Sequence, residues 1–410
     1  MGFAMTNIHF MTSPMESQKQ RPAWQSSLLK AALVVSSFTI MLFLAEGLAR
    51  WLRPDLVPSI EIRTIPDPFI GWRNLPCQNF DGRTEQGERR RIHINNLGFV
   101  DEDHALEKAD QTVRVAFLGD SFTAAVHVDF PFSFVQVAGA NLRTTVPTQK
   151  WEVLNFGVTG FGTVRECLAW KYYARHFRPD VVVLAFFLGN DVANNLPGYE
   201  DVFTRRRDQK KHGWFYQTFL EPSLLYQIYK LRARDLRHFF LKDGSRKVSA
   251  DDEKLPFWRR SYAPIDWQTY LAHPDPAFEE AWKTTEQHLL LLRDEVQAGG
   301  ARFHVALLPG MEAMVAGKFQ RSQVRYPGIE AFEFDLDHPR RRLLDFLKRN
   351  RISTIDIQRE FEEKVPPDQR QDLYYRFDLH FNTRGHRLAG EAISRKISAV
   401  WLSDLQEKKK

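Results

Sequence analysis

Val113-Arg-Val-Ala-Phe-Leu118 runs directly into Gly119-Asp120-Ser121-Phe122-Thr123. A short apolar run of this kind reads as a buried strand, and a Gly-Asp-Ser turn leading toward a helix holds a serine hydroxyl at the rim of a sheet. The same rhythm continues on either side of a central interruption. Strands are expected at Val113–Leu118, Glu152–Phe156, Val181–Leu188, Arg302–Leu308 and Ser353–Ile357. Helices are expected at Phe134–Arg143, Val164–Phe177, Phe278–Glu295, Arg341–Arg349 and Gly385–Trp401. Runs such as Val181-Val-Val-Leu-Ala-Phe-Phe-Leu188 are apolar on both faces, as strands covered by helices on both sides must be. Alternating β and α with about five such strands implies a doubly wound parallel sheet. In that architecture sites gather beyond the carboxyl ends of strands. Gly119–Ser121, the Gly-rich turn Gly157–Gly162 and Gly189-Asn190-Asp191 each follow such an end.

Those strand ends and the later Asp378-Leu-His380 carry a coherent chemistry. A serine hydroxyl is a weak nucleophile until a base takes its proton. His380 is the candidate base, and Asp378 would fix its tautomer and steady the imidazolium. In an extended backbone residues two apart face the same side, so Asp378 can meet the His380 ring locally. The proposed oxyanion donors are the backbone N–H of Ser121, the N–H of Gly160 and the side-chain amide of Asn190. Taken singly, each element has an ordinary structural use: Ser121 as a helix cap, the glycines as turn residues, Asn190 and Asp191 as caps. A metal-ligand pair at Asp378 and His380 is a further possibility, but the spacing offers no third ligand. The joint pattern favours acyl transfer.

On these residues the chain resembles the SGNH (GDSL-type) hydrolase superfamily, in the form of a membrane-anchored bacterial-type member. Its four blocks match Gly119-Asp-Ser121-Phe, Asn155-Phe-Gly-Val-Thr-Gly160, Gly189-Asn-Asp191 and Asp378-Leu-His-Phe-Asn382, the last followed by Gly385-His386. The resemblance spans about residues 111–400. It implies a flavodoxin-like three-layer α/β/α sandwich on a parallel five-stranded sheet. It also implies Ser121 as nucleophile with His380 and Asp378, an oxyanion hole of Ser121, Gly160 and Asn190, and no metal or organic cofactor. The departure is Asp-x-His where many members have Asp-x-x-His, which touches the Asp role and not the His role.

Upstream, residues 1–27 form a polar tail, expected to be cytoplasmic, and 28–52 are mostly apolar, with Lys30, Glu46 and Arg50 near the ends. As a helix this segment reaches roughly 37 Å, enough to cross a bilayer. Trp24 and Trp51 sit where interfacial aromatics belong, and Lys30 and Arg50 can snorkel. Glu46 must lie near head groups or be protonated. An uncleaved anchor is the reading adopted; Ala45-Glu-Gly47 keeps a cleaved signal peptide open. Either one places the main domain outside the cytoplasm, in the periplasm or at the cell surface. Residues 53–110 are expected to be a linker and a small lead-in β layer with a strand at Arg90–Ile94, and 111–405 the hydrolase-like domain. The stretch 195–275, rich in aromatic and basic residues and with helical spacing at Ser223–Leu241, is read as an insertion, either a lid or a separately packed subdomain.

A net charge of +6 favours anionic surfaces, but the basic runs are scattered and no nucleic-acid module accompanies them, so no nucleic-acid partner is expected. Cys77 and Cys167 belong to no redox or metal pattern and leave the compartment undecided. The expected activity is a serine esterase hydrolysing a small acyl ester through an acyl-enzyme, a carbohydrate O-acetyl group or acylated glycan being the substrate favoured. The alternatives are an O-acyltransferase modifying an envelope polysaccharide and a non-catalytic envelope scaffold.

Overall fold

The computed structural model describes residues 23–52, 62–196, 216–220, 223–226, 228–229, 264–324, 326, 328–376 and 378–407. The chain divides into two compact units, Met1–Arg53 and Pro54–Lys410.

In the first unit a single helix, α1 (Ala23–Leu52), carries the apolar segment. Its portion Ser27–Leu52 has a mean hydropathy of 2.1 and by length and composition can cross a membrane. Leu33, Val34, Phe43 and Leu44 stand exposed. The hydroxyls of Ser36 and Thr39 donate back to the carbonyls of Leu33 and Val35, so neither needs water. Glu46 accepts from Arg50 Nε at 2.8 Å, one turn on. That pairing answers the difficulty a lone carboxylate raises in such a helix.

The second unit begins with two hairpins. β1 (Thr64–Asp67) pairs antiparallel with β2 (Gly71–Asn74), and β3 (Gln78–Arg83) with β4 (Arg89–Ile94). The expected strand at Arg90–Ile94 is thus half of the second hairpin.

Five parallel strands follow: β5 (Thr112–Gly119), β6 (Lys150–Asn155), β7 (Val181–Phe187), β8 (Arg302–Leu308) and β9 (Ser353–Asp356). Their order across the sheet is β6-β5-β7-β8-β9, the 2-1-3-4-5 order of flavodoxin-like folds. Two-residue periodicity divides the strand side chains between two cores. Ala116, Leu118, Val182, Leu184, Phe186, Val305 and Leu307 face one, against helices α4 (Thr163–Tyr172), α5 (Pro276–Ala298) and α6 (His338–Arg349). Val115, Phe117, Val181, Val183, Ala185, Ala306 and Leu308 face the other, against α3 (Phe134–Thr145), α7 (Ile357–Lys364) and α8 (Thr383–Glu407). The result is the expected three-layer sandwich. Truncating a fully buried anchor such as Phe186 costs about 3–5 kcal/mol.

Arg114 is the exception within the apolar run of β5. It is 1% exposed, yet its Nε meets Glu152 at 2.5 Å, and its remaining N–H groups reach the carbonyls of Ala105, Leu106, Glu107 and Phe177. Burial is tolerable because every donor direction is used. The two cysteines are free, Cys77 exposed and Cys167 buried. Most of 195–275, including most of the expected helix Ser223–Leu241, lies outside the described residues. Its described end, Ile265–Tyr270, is a 3₁₀ turn with Trp267 and Tyr270 buried.

Candidate active site

At the end of β5 the chain turns sharply into a four-residue helix, α2 (Ser121–Ala124). Asp120 caps it, its Oδ1 accepting the Phe122 N–H at 2.9 Å. Gly119, at φ +156°, is needed for space: a Cβ there would meet Thr123 Oγ1 at 2.1 Å and the Ala185 carbonyl at 2.9 Å. The turn leaves Ser121 only 6% exposed at the sheet rim.

The imidazole comes from the loop before α8. His380 Nε2 lies 2.8 Å from Ser121 Oγ, and Nδ1 lies 2.5 Å from Asp378 Oδ1. Ser121, His380 and Asp378 are therefore brought together in one line. The extended backbone expected at 378–380 is not what achieves this. Leu379 takes φ +70°, and a turn closed by Leu379 N–H to Tyr375 O and Tyr375 N–H to His380 O folds Asp378 back onto the ring. A non-glycine residue in that region costs of order 1–3 kcal/mol, so the turn must be held from outside. The β3–β4 hairpin supplies the hold: the Glu85 carboxylate accepts the N–H groups of Arg376 at 2.6 Å and Asp378 at 3.2 Å. Glu88 accepts from Thr383 at 3.0 Å, and Asn382 caps α8 through the N–H groups of Arg384 and Gly385.

Electrostatics suit the arrangement. Burial raises the Asp378 carboxyl, but the His380 hydrogen bond and the neighbouring imidazoles outweigh it and bring the pKa down to about 2. Asp378 is ionised throughout the working range. Burial pushes Asp120 up to about 6; its Oδ2 sits 3.3 Å from Ser121 Oγ, a longer contact than that to His380. Behind these loops Glu166 and Asp191 are fully buried, and burial, with the neighbouring carboxyls, pushes both well up. Asp191 closes the turn after β7 by accepting the Phe187 N–H at 2.7 Å.

Among the expected oxyanion donors, Asn190 lines the same cleft as Ser121 and His380, and no hydrogen bond within the described residues engages its side chain. Gly160 is buried at φ +83°, where a side chain is strained, and its N–H meets no backbone carbonyl among the described residues. Gly160 is not among the residues lining the cleft.

Sequence reasoning missed His127. Its ring stacks on His380 at 3.8 Å between centroids, and its Nε2 lies 3.4 Å from Asp378 Oδ1. It is the third ligand-type group that spacing could not find beside Asp378 and His380. Burial, followed by the nearby His380, pushes its pKa well down, so it is neutral. The only signal in the sequence was a histidine six residues after the serine. Phe122 completes the packing, stacked on Phe187 at 4.2 Å and tilted against His380 at 4.6 Å.

The cleft holds about 330 Å³. Strand order and the strand-end placement of the Gly-Asp-Ser and Gly-Asn-Asp blocks now stand together with the serine–imidazole–carboxylate line. The domain has a flavodoxin-like three-layer α/β/α fold. No family model and no curated protein matches the chain. Among solved structures, an acetyl xylan esterase is similar at 13% identity over 70% of this chain and 100% of its own, with a TM-score of 0.39. An acetylxylan esterase from Geobacillus stearothermophilus is similar at 14% identity, covering 70% and 94%, with a TM-score of 0.37. A GDSL-like lipase from Bacteroides thetaiotaomicron is similar at 10% identity, covering 72% and 93%, with a TM-score of 0.35. Substrate and mechanism rest on the side chains of this chain.

Proposed function

We propose that this chain is a membrane-anchored serine esterase of the SGNH type, with its catalytic domain outside the cytoplasm, acting on a small acyl ester such as a carbohydrate O-acetyl group. The observation that carries the reading is Ser121 Oγ at 2.8 Å from His380 Nε2, with the other ring nitrogen at 2.5 Å from Asp378. Ser121 Oγ attacks the acyl carbonyl as His380 Nε2 takes its proton. The oxyanion is met by the N–H groups of Ser121 and Gly160 and the amide of Asn190, each such donor contributing about 2.7–4 kcal/mol in the transition state. His380 then protonates the departing alcohol, leaving an acyl-serine. Water, giving its proton to the same nitrogen, releases the acid and restores Ser121. Asp378, ionised, keeps Nδ1–H in place and offsets the imidazolium. A cleft near the lower limit for ligand sites, with Phe122 and Phe187 in its lining, supports a small acyl ester.

Ser121→Ala is expected to reduce aryl acetate hydrolysis by at least about a thousandfold, while circular dichroism and melting temperature stay as in the wild type. Hydrolysis at the wild-type rate in that variant would remove Ser121 as nucleophile.

A further inference from the structure

The β3–β4 hairpin stands outside the five-stranded sheet, and no residue of either strand belongs to the two cores of the sandwich. It nevertheless reaches the segments that carry Ser121, His127 and the Asp378–His380 pair. Ile92 and Ile94 of β4 share a buried cluster with Ala124, the last residue of α2, which begins at Ser121. Arg90, 8% exposed, donates to the Val126 carbonyl at 3.1 Å. Arg91 holds the Asp129 carboxylate through its backbone N–H at 2.6 Å and its guanidinium Nη2 at 2.8 Å. The two arginines thus fix the chain just before and just after His127, whose ring stacks on His380. From the turn between the strands, Glu85 accepts the N–H groups of Arg376 and Asp378, and Glu88 accepts from Thr383. Both Asp378 and His380 fall within the stretch so held.

We infer that the hairpin is a clamp for the acid–base machinery, with Glu85, Arg90 and Arg91 as positioning residues. It sets the 376–383 turn and the His127 loop against the serine helix, and so fixes the 2.8 Å approach of His380 Nε2 to Ser121 Oγ. A misplacement of about 1 Å at reacting atoms can cost about a hundredfold in rate. None of the three residues lines the cleft, so the clamp governs turnover and leaves substrate binding alone. It rests on the esterase reading and adds the element outside the sheet on which that chemistry depends.

The test is steady-state hydrolysis of 4-nitrophenyl acetate by the full chain. Glu85→Ala is expected to lower kcat by about tenfold or more, with KM within about twofold of the wild type. Glu85→Gln keeps one carbonyl for the Arg376 N–H and is expected to recover part of that loss. Arg91→Ala leaves the backbone bond to Asp129 and removes the guanidinium, for a loss of about threefold in kcat. The control is Asp81→Ala, which breaks the exposed Asp81–Arg89 pair inside the same hairpin and touches neither catalytic loop; wild-type kcat is expected. Wild-type kcat in both Glu85 variants overturns the clamp while leaving the esterase standing. A loss in Asp81→Ala equal to that in Glu85→Ala also overturns it, since the cause would then be hairpin stability. Wild-type protein that hydrolyses no ester overturns the esterase, and the clamp with it.

Discussion

Asp378 and His380 stand two positions apart, and a left-handed Leu379 between them makes the pair work. The sequence pointed to both side chains through the order of the four blocks. It did not reveal the turn, because a positive φ at leucine has no propensity signature and is imposed by the hairpin carboxylate of Glu85. His127 was illegible for a related reason: it acts through space on a group 251 positions downstream, with no motif of its own. A neutral ring stacked on His380 and facing Asp378 limits how far the base can swing. His127→Phe keeps the stack and removes the nitrogen. It is expected to lower kcat by less than about tenfold with KM unchanged, and His127→Gln, which retains an N–H, to recover part of the loss. A raised KM at constant kcat would show that His127 serves binding and not the base.

At the scale of elements, strand positions were readable because β5 and β7 are covered on both faces and carry continuous apolar runs. Helix ends were less so: α5 extends from Pro276 to Ala298, beyond the expected Phe278–Glu295, its start set by an Asp275 cap. The expected Val164–Phe177 helix breaks at Tyr173 into a 3₁₀ turn. The strands β1 to β3 were not read at all: β1 and β2 have four residues each and pair with each other, and β3 carries no fully buried residue. What ties this lead-in layer to the sheet is Asp101 and His104. Asp101 accepts the N–H groups of Asn155 at 2.7 Å and Glu102 at 3.0 Å, and His104 bridges Asp101 at 3.1 Å and Glu152 at 2.8 Å.

Burial lowers the His104 pKa, but Asp101 and Glu152 outweigh it and raise it from 6.5 to about 9. Burial alone pushes Asp101 up as well; with several donors on its carboxylate, the ionised form beside an imidazolium is the state that governs. A folded pKa above the unfolded one gives stability that is complete below pH 6.5 and lost as pH rises through about 9. The side chain is 14% exposed, so the contribution is on the order of 3 kcal/mol. The melting temperature is expected to fall between pH 6.5 and 9.5, with a flatter profile in His104→Gln. Parallel profiles for the two proteins would contradict that assignment.

For the whole molecule, an N-terminal helix able to span a membrane precedes a flavodoxin-like sandwich in which the strand ends and the loop before the last helix meet at one serine. The architecture was legible because the β–α alternation and the motif order agreed. The cleft wall was not, because residues such as Tyr270 and Glu312 come from separate segments and meet only in space. The central claim is that His380 activates Ser121. Treating the protein with a fluorophosphonate and mapping the adduct by mass spectrometry tests it directly. A phosphonyl group is expected on Ser121 in the wild type and none in Ser121→Ala, with labelling slowed by at least about a hundredfold in His380→Ala. An unlabelled Ser121 in the wild type, or labelling as fast without the imidazole as with it, would contradict it.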